Sequence, residues 1–153
     1  LVKGDYELWL FGSGDMVDYI KLCSQKDSRI SYFGKVDRKE LLRHMKMAHL
    51  LISVKSPHED HANYAFPSKI LEYMTSGTAV ASTMVGGIPK DYFNYIYAIE
   101  KEDKFGIKKL LEFVFLIDTN ENNAMGIKAQ RFVLEQKNYC YQCKRIEHFF
   151  RSR

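Results

Sequence analysis

Short apolar stretches bounded by Gly and Asp alternate with longer segments of helical period as far as Ile99. That alternation restricts the chain to a βαβ layout built on a parallel sheet. The stretches Tyr6–Phe11, Ile30–Phe33, Leu50–Val54, Ala79–Ser82 and Tyr95–Ile99 read as strands. Between them Met16–Gln25, Arg38–Ala48, Ser68–Ser76 and Pro89–Phe93 read as helices. Asp37 followed three residues later by Glu40 is a capping-box pattern, and it starts a helix directly after the turn at Gly34.

From Phe105 the character changes. Phe105–Ile117 is a strongly apolar helix and Glu121–Phe150 one or two more, with Asn120, Asn122 and Asn123 marking the joint. The expected fold is α/β: a Rossmann-like, doubly wound parallel sheet over residues 1–118, with a C-terminal helical tail of the same domain over 119–153.

With 153 residues, 46% of them hydrophobic, the chain can bury the core of one domain but not of a second. It starts at Leu1 rather than Met, and it is expected to be a piece of a longer protein. The formal net charge of +4 suits an anionic ligand and falls short of a nucleic-acid footprint, so no nucleic-acid partner is expected. No apolar run approaches the roughly 18 residues of a membrane span, and no signal pattern opens the chain. Three cysteines, Cys23, Cys140 and Cys143, make an odd count that suits a reducing compartment. Cys140 and Cys143 form a lone CxxC with only His148 near, short of a zinc site.

In open parallel sheets the ligand crevice lies beyond the carboxyl ends of the strands, so the loops after each strand are the ones to inspect. Phe11-Gly12-Ser13-Gly14 carries glycines between a strand and a helix, where they serve either a close ligand or a tight turn. Gly34-Lys35-Val36 presents backbone groups suited to the edge of a flat base, and is also an ordinary turn. Met84-Val85-Gly86-Gly87-Ile88-Pro89 offers room for a ligand or a plain loop.

The polar loop from Ser56 to Phe66 is longer than a connection needs, and it enters a helix at Pro67-Ser68-Lys69. Ser68 as N-cap would leave the first N–H groups of that helix aimed at a phosphate, with Lys69 adding a full positive charge. Charge-assisted hydrogen bonds contribute about 1.5–3 kcal/mol each against about 0.3–1 for an exposed helix dipole, so Lys69 is the stronger element. Glu72 sits one turn below Ser68, where a carboxylate accepts both hydroxyls of a ribose or simply balances the helix start. His58, Glu59, Asp60 and His61 are close in sequence, but neighbours in an extended loop point in opposite directions and no i, i+4 His pair supports them. No metal and no cofactor is expected.

The segments Leu8–Gly14, Ile30–Val36 and Ala48–Val54, then Pro67-Ser68-Lys69-Ile70-Leu71-Glu72-Tyr73-Met74-Thr75-Ser76-Gly77 with Ala79–Ser82 and Gly86–Pro89, resemble the C-terminal domain of family 4 (group 1) glycosyltransferases. The likeness covers residues 5 to 100, and the Pro67–Gly77 segment resembles the subgroup that builds bacterial O-antigens and capsules. It implies one half of a GT-B fold, binding a nucleotide diphosphate sugar, while a separate N-terminal domain binds the acceptor. It places Glu72 on the donor ribose, Ser68, Lys69 and Ile70 on the diphosphate, Lys35 and Val36 at the base, and Gly12 and Gly14 along the cleft. Lys69 becomes the catalytic cation, meeting the charge of the leaving diphosphate.

Two departures from the family pattern stand out. Tyr64 occupies the position of the first Glu of the paired-glutamate motif, so Glu59, Tyr64 and Phe66 become the donor-sugar candidates, with Asp60 a possible substitute for that Glu. The family's basic pair before the first strand has no counterpart within Leu1–Asp5.

The implied activity is retaining transfer of a hexose or N-acetylhexosamine, from UDP by preference, to a glycan or polyprenyl-linked acceptor in surface polysaccharide synthesis. It implies a cytoplasmic enzyme with peripheral contact to the inner face of the membrane, and a fragment inactive alone. The alternative is a non-catalytic nucleotide-binding or flavodoxin-like interaction module.

Overall fold

The structure is a computed structural model that describes residues 5–59 and 62–152. It divides into two compact units, Leu1–His44 and Met45–Arg153.

In the first unit, strands β1 (Leu8–Phe11) and β2 (Ile30–Gly34) flank helix α1 (Val17–Lys26), and the start of α2 (Arg38–Met47) follows. The strands pair in parallel, Leu8 opposite Ile30, with a shift after Leu10 that sets Phe11 opposite Gly34. The shift coincides with a change of backbone region: Gly12 and Gly34 have φ of 116° and 67°, and the Gly12 N–H donates to the Gly34 carbonyl at 2.7 Å. Trp9, Phe11 and Phe33 surround the His44 ring at 5.5, 5.0 and 5.1 Å, while the Asp37 carboxylate caps α2 by accepting the Glu40 N–H at 2.8 Å. Among the described residues of this unit no side chain is fully buried. Polar anchoring is correspondingly prominent. Asp27 accepts from the Arg29 Nε at 2.9 Å and from its backbone N–H at 3.1 Å, and the guanidinium lies over the Tyr6 ring.

The second unit has its own parallel sheet, with β4 (Val80–Thr83) between β3 (Leu51–Ser53) and β5 (Tyr97–Ile99). The strands thus form a pair and a triplet. All of β4 is buried, and its alternation sends Val80 and Ala81 into different clusters. Val80 joins Ile70 and Met74 of α3 (Ser68–Thr75), Tyr92 of a 3-10 helix (Lys90–Asn94), and Ala129, Phe132 and Val133 of α5 (Thr119–Gln136). Ala81 joins Ile99 with Leu110 and Val114 of α4 (Lys104–Leu116).

Several boundaries differ from expectation for local reasons. Tyr95 closes the 3-10 helix, its N–H returning to the Tyr92 carbonyl at 2.9 Å, so β5 starts at Tyr97. The α4–α5 joint is made by Asp118, whose carboxylate caps α5 through the Asn120 N–H at 2.8 Å. Asn122 is not at that joint but inside α5, 1% exposed, donating to the His49 carbonyl at 2.8 Å and accepting from the Tyr97 hydroxyl at 3.2 Å. Asn138 caps α6 (Tyr139–Arg151), an exposed helix that carries Cys140 and Cys143 on its surface.

Helix α5 reaches the turn after α3 because Gly126 has no side chain. A Cβ there would overlap the Gly77 carbonyl oxygen and lie 2.7 Å from the Ala79 nitrogen. Gly126→Ala should therefore lower unfolding stability by about 1–3 kcal/mol in urea titrations, the usual cost of overpacking, despite alanine's better helix propensity. In the first unit, hydrogen bonds from the Arg29 side chain and backbone pull the Asp27 carboxyl down to about 2. Ionised Asp27 thus contributes above the ordinary aspartate range, and its contribution is lost as pH falls through about 2. A carboxyl-carbon NMR titration should place its midpoint near that value, whereas an unpaired aspartate titrates at about 3.9.

Candidate functional site

Helix α3 is amphipathic along its short length. Ile70 and Met74, one turn apart, are fully buried, whereas Ser68 and Lys69 are exposed and Glu72 is half-buried. At helical spacing Ser68, Lys69 and Glu72 share the face opposite Ile70. Pro67, not Ser68, stands at the N-cap, and Ser68 is the first helical residue. Pro67 fits there because it has no N–H to leave unpaired, and its carbonyl accepts the Ile70 N–H at 2.9 Å. The first turn is thereby tightened, and Ile70 spends its N–H on Pro67 and its side chain on the core. Among the described residues, the N–H groups of Ser68 and Lys69 meet no protein acceptor, and no ion pair engages Lys69 or Glu72. One residue beyond Glu72, burial first and the Glu72 carboxylate second push the Tyr73 phenol up, so Tyr73 stays neutral.

The loop before α3 is fixed from several sides. Thr83, at the end of β4 and 2% exposed, bridges the backbone of Lys55: its hydroxyl accepts the Lys55 N–H at 2.9 Å and donates to the Lys55 carbonyl at 2.7 Å. The Ser56 hydroxyl donates to Glu102, just beyond β5, at 2.9 Å. Glu59 is exposed and pairs with Lys55 at 3.9 Å. Phe66 turns inward against Tyr92, ring centres 5.0 Å apart, while Tyr64 is 91% exposed. Asp60 and His61 lie outside the described residues. The unit thus gathers Glu59, Tyr64, Phe66, Ser68, Lys69, Ile70 and Glu72 along one loop and helix, of which Tyr64, Ser68, Lys69 and Glu72 offer polar groups to a ligand.

The other sequence candidates belong to the first unit. Gly12, Gly14 and Gly34 face open space, Lys35 is exposed and Val36 half-buried. Both backbone polar groups of Gly12 are engaged, its carbonyl accepting the Tyr32 hydroxyl at 2.6 Å.

Sequence reasoning missed Thr83, Ser56 and Glu102. The β5 loop carries the same signal as the loops inspected, a polar residue just past a strand's carboxyl end, and would have pointed to Glu102.

The sequence matches the family Glycosyl transferases group 1 over residues 1–109. The chain belongs to that family. No curated protein matches it. Among solved structures it is similar to Anabaena HepE in complex with UDP and glucose, at 15% identity and a TM-score of 0.71. That likeness covers 99% of this chain and 42% of the other. The complex of HepE with UDP aligns at 16% identity and a TM-score of 0.70 over the same shares. AviGT4, a glycosyltransferase involved in Avilamycin A biosynthesis, aligns at 16% identity and 0.55, covering 85% of this chain and 41% of that one. The chain therefore spans less than half the length of these neighbours, and its α/β fold with parallel sheets matches that of GT-B glycosyltransferases. Among the described residues no helix is long and apolar enough to cross a membrane.

The Thr83 bridge has a direct consequence. Thr83→Val keeps the shape but leaves a half-buried N–H and carbonyl of Lys55 without their partner, and should cost about 1 kcal/mol by urea denaturation.

Proposed function

We propose that this chain binds the donor of a glycosyl transfer, a nucleotide diphosphate sugar, with the diphosphate at the N-terminal end of α3. The observation that carries the reading is the conjunction, on one exposed helix face, of two N–H groups, an ammonium and a carboxylate that are all unpaired among the described residues. A helix mouth with a cation favours a dianion, and a carboxylate one turn further in accepts from vicinal hydroxyls. Membership of the group 1 family and the UDP and glucose held by HepE support the same choice.

In this reading Ser68 and Lys69 hold the diphosphate, Ile70 seats the helix that presents them, and Glu72 takes the ribose hydroxyls. Tyr64, exposed beside the helix mouth, meets the donor sugar, with Glu59 at the loop's outer edge and Phe66 anchoring its inner end. Transfer of a hexose or N-acetylhexosamine, with retention and without a metal, goes to a glycan or polyprenyl-linked acceptor of surface polysaccharide held by a further domain. The enzyme works in the cytoplasm at the inner face of the membrane. As the diphosphate leaves it gains negative charge, and Lys69 with the helix mouth is the part of this chain placed to stabilise it.

Calorimetric titration with UDP tests the reading. The chain should bind UDP saturably, and Lys69→Ala should weaken binding by about tenfold to a hundredfold, the worth of one charge-assisted hydrogen bond. Absence of saturable binding would leave an interaction module as the better description. Binding unchanged in Lys69→Ala would remove the diphosphate from α3.

A further inference from the structure

Gly86 and Gly87 come after β4, and neither has a positive φ, so neither is required by the course of its own backbone. What requires them is the space on which the loop before α3 rests. A Cβ on Gly86 would lie 2.7 Å from Asn63 Oδ1 and 3.2 Å from Asn63 Cα. A Cβ on Gly87 would overlap the Ala65 carbonyl oxygen and lie 2.9 Å from that of Ala62. The clashes at Gly87 are with backbone, which cannot swing aside as a side chain can, whereas at Gly86 the nearest atom belongs to the Asn63 side chain.

Hydrogen bonds fix the same contact. The Gly87 N–H donates to the Ala62 carbonyl at 2.9 Å, and the Gly86 N–H donates to Asn63 Oδ1 at 3.3 Å. Ala62 is fully buried beneath this contact, whereas Asn63, Tyr64 and Ala65 are exposed. The glycine pair is thus a seat for residues 62–65, which run through Phe66 and Pro67 into the first turn of α3.

We propose that Asn63 is a positioning residue: together with the Gly86–Gly87 seat it sets where the Ser68 and Lys69 N–H groups and the Tyr64 ring stand, and so tunes affinity for the diphosphate end of the donor. This rests on the donor-binding reading above. The glycines touch no donor in this account. They act through the loop, and the loop acts through the helix mouth.

The test uses Gly87→Ala and Asn63→Ala in the whole chain, with UDP and uridine as ligands and hydrogen exchange across 62–75 as an independent readout. Gly87→Ala should raise the Kd for UDP at least tenfold and Asn63→Ala about threefold. Uridine, which lacks the diphosphate, should bind each variant within twofold of the parent. Exchange should quicken over 62–70 while β4 and α5 stay protected. Asn63→Asp, which keeps the acceptor for the Gly86 N–H, should restore the parental exchange pattern.

UDP affinity within twofold of the parent in both alanine variants would overturn the proposal, as would UDP and uridine weakening together. Should Gly87→Ala lose protection throughout, Asn63→Ala alone decides by the same criteria. A parent chain that binds no UDP would sink the donor-binding reading and the ligand role of Asn63 with it. In that event unchanged exchange over 62–70 in Asn63→Ala would also overturn the seat itself.

Discussion

Burial of β4 on both faces is the constraint on which the second unit depends. Four residues, Val80 to Thr83, have no solvent-facing side, so each must either pack or find a polar partner. Val80 and Ala81 pack into opposite clusters. Thr83 ends the strand in a different way, because its hydroxyl completes the backbone of Lys55 across the sheet. The site loop is therefore attached to the most deeply buried strand through Lys55, the residue just before it, and rests again on the turn that follows the same strand. Precision at the helix mouth is inherited from the core rather than from the loop's own composition.

Backbone-to-backbone contact recurs at the two ends of α3. At its C-terminal end Gly126 lets α5 lie against the Gly77–Ala79 turn, and the Gln130 side chain donates to the Thr75 carbonyl at 2.8 Å. At its N-terminal end Gly86 and Gly87 let the preceding loop lie against the β4 turn. A helix of eight residues is too short to be stable by its own hydrogen bonds, so it needs such fixtures. Ile70 and Met74 supply the remaining hold by burying one face. What is left over, the opposite face, is free to carry charge.

Much of this was legible beforehand. Among the described residues, hydrophobic patterns located the strands and the helices as far as α4 to within a few residues, while the division of the tail into α5 and α6 was left open. The Ser68–Gly77 segment stood out as a candidate site because Ser, Lys and Glu at helical spacing on an otherwise apolar helix have no packing role. Three features were not legible: two depend on partners distant in sequence, and one on the conformation of the residue next door. Asn122 read as a joint because asparagines cluster there, yet its partners are His49 and Tyr97. Ser68 read as an N-cap because its hydroxyl suits that position, but Pro67 already had the φ and the missing N–H to take it. Gly86 and Gly87 read as room for a ligand or as a plain loop, and the space in front of them is filled by the chain itself.

The charge arrangement on α3 bears on the class of ligand. A lone phosphate would be served by Lys69 and the N–H groups, and a carboxylate on the same face would only repel it. Two like charges at an exposed site separated by about one helical turn, roughly 5.4 Å, still interact appreciably, because the screening length in physiological salt is about 8 Å. Glu72 is also half-buried, which weakens screening further. A bare anion is thus, on the proposed reading, discriminated against relative to a ligand that brings hydroxyl donors to Glu72 and its negative charge to Lys69. On the proposed reading the carboxylate selects for a nucleoside diphosphate over inorganic phosphate, and the ammonium selects for the diphosphate over a free nucleoside. Cation and carboxylate on one helix face are therefore complementary to a molecule with both parts, and each is partly defeated by a molecule with only one.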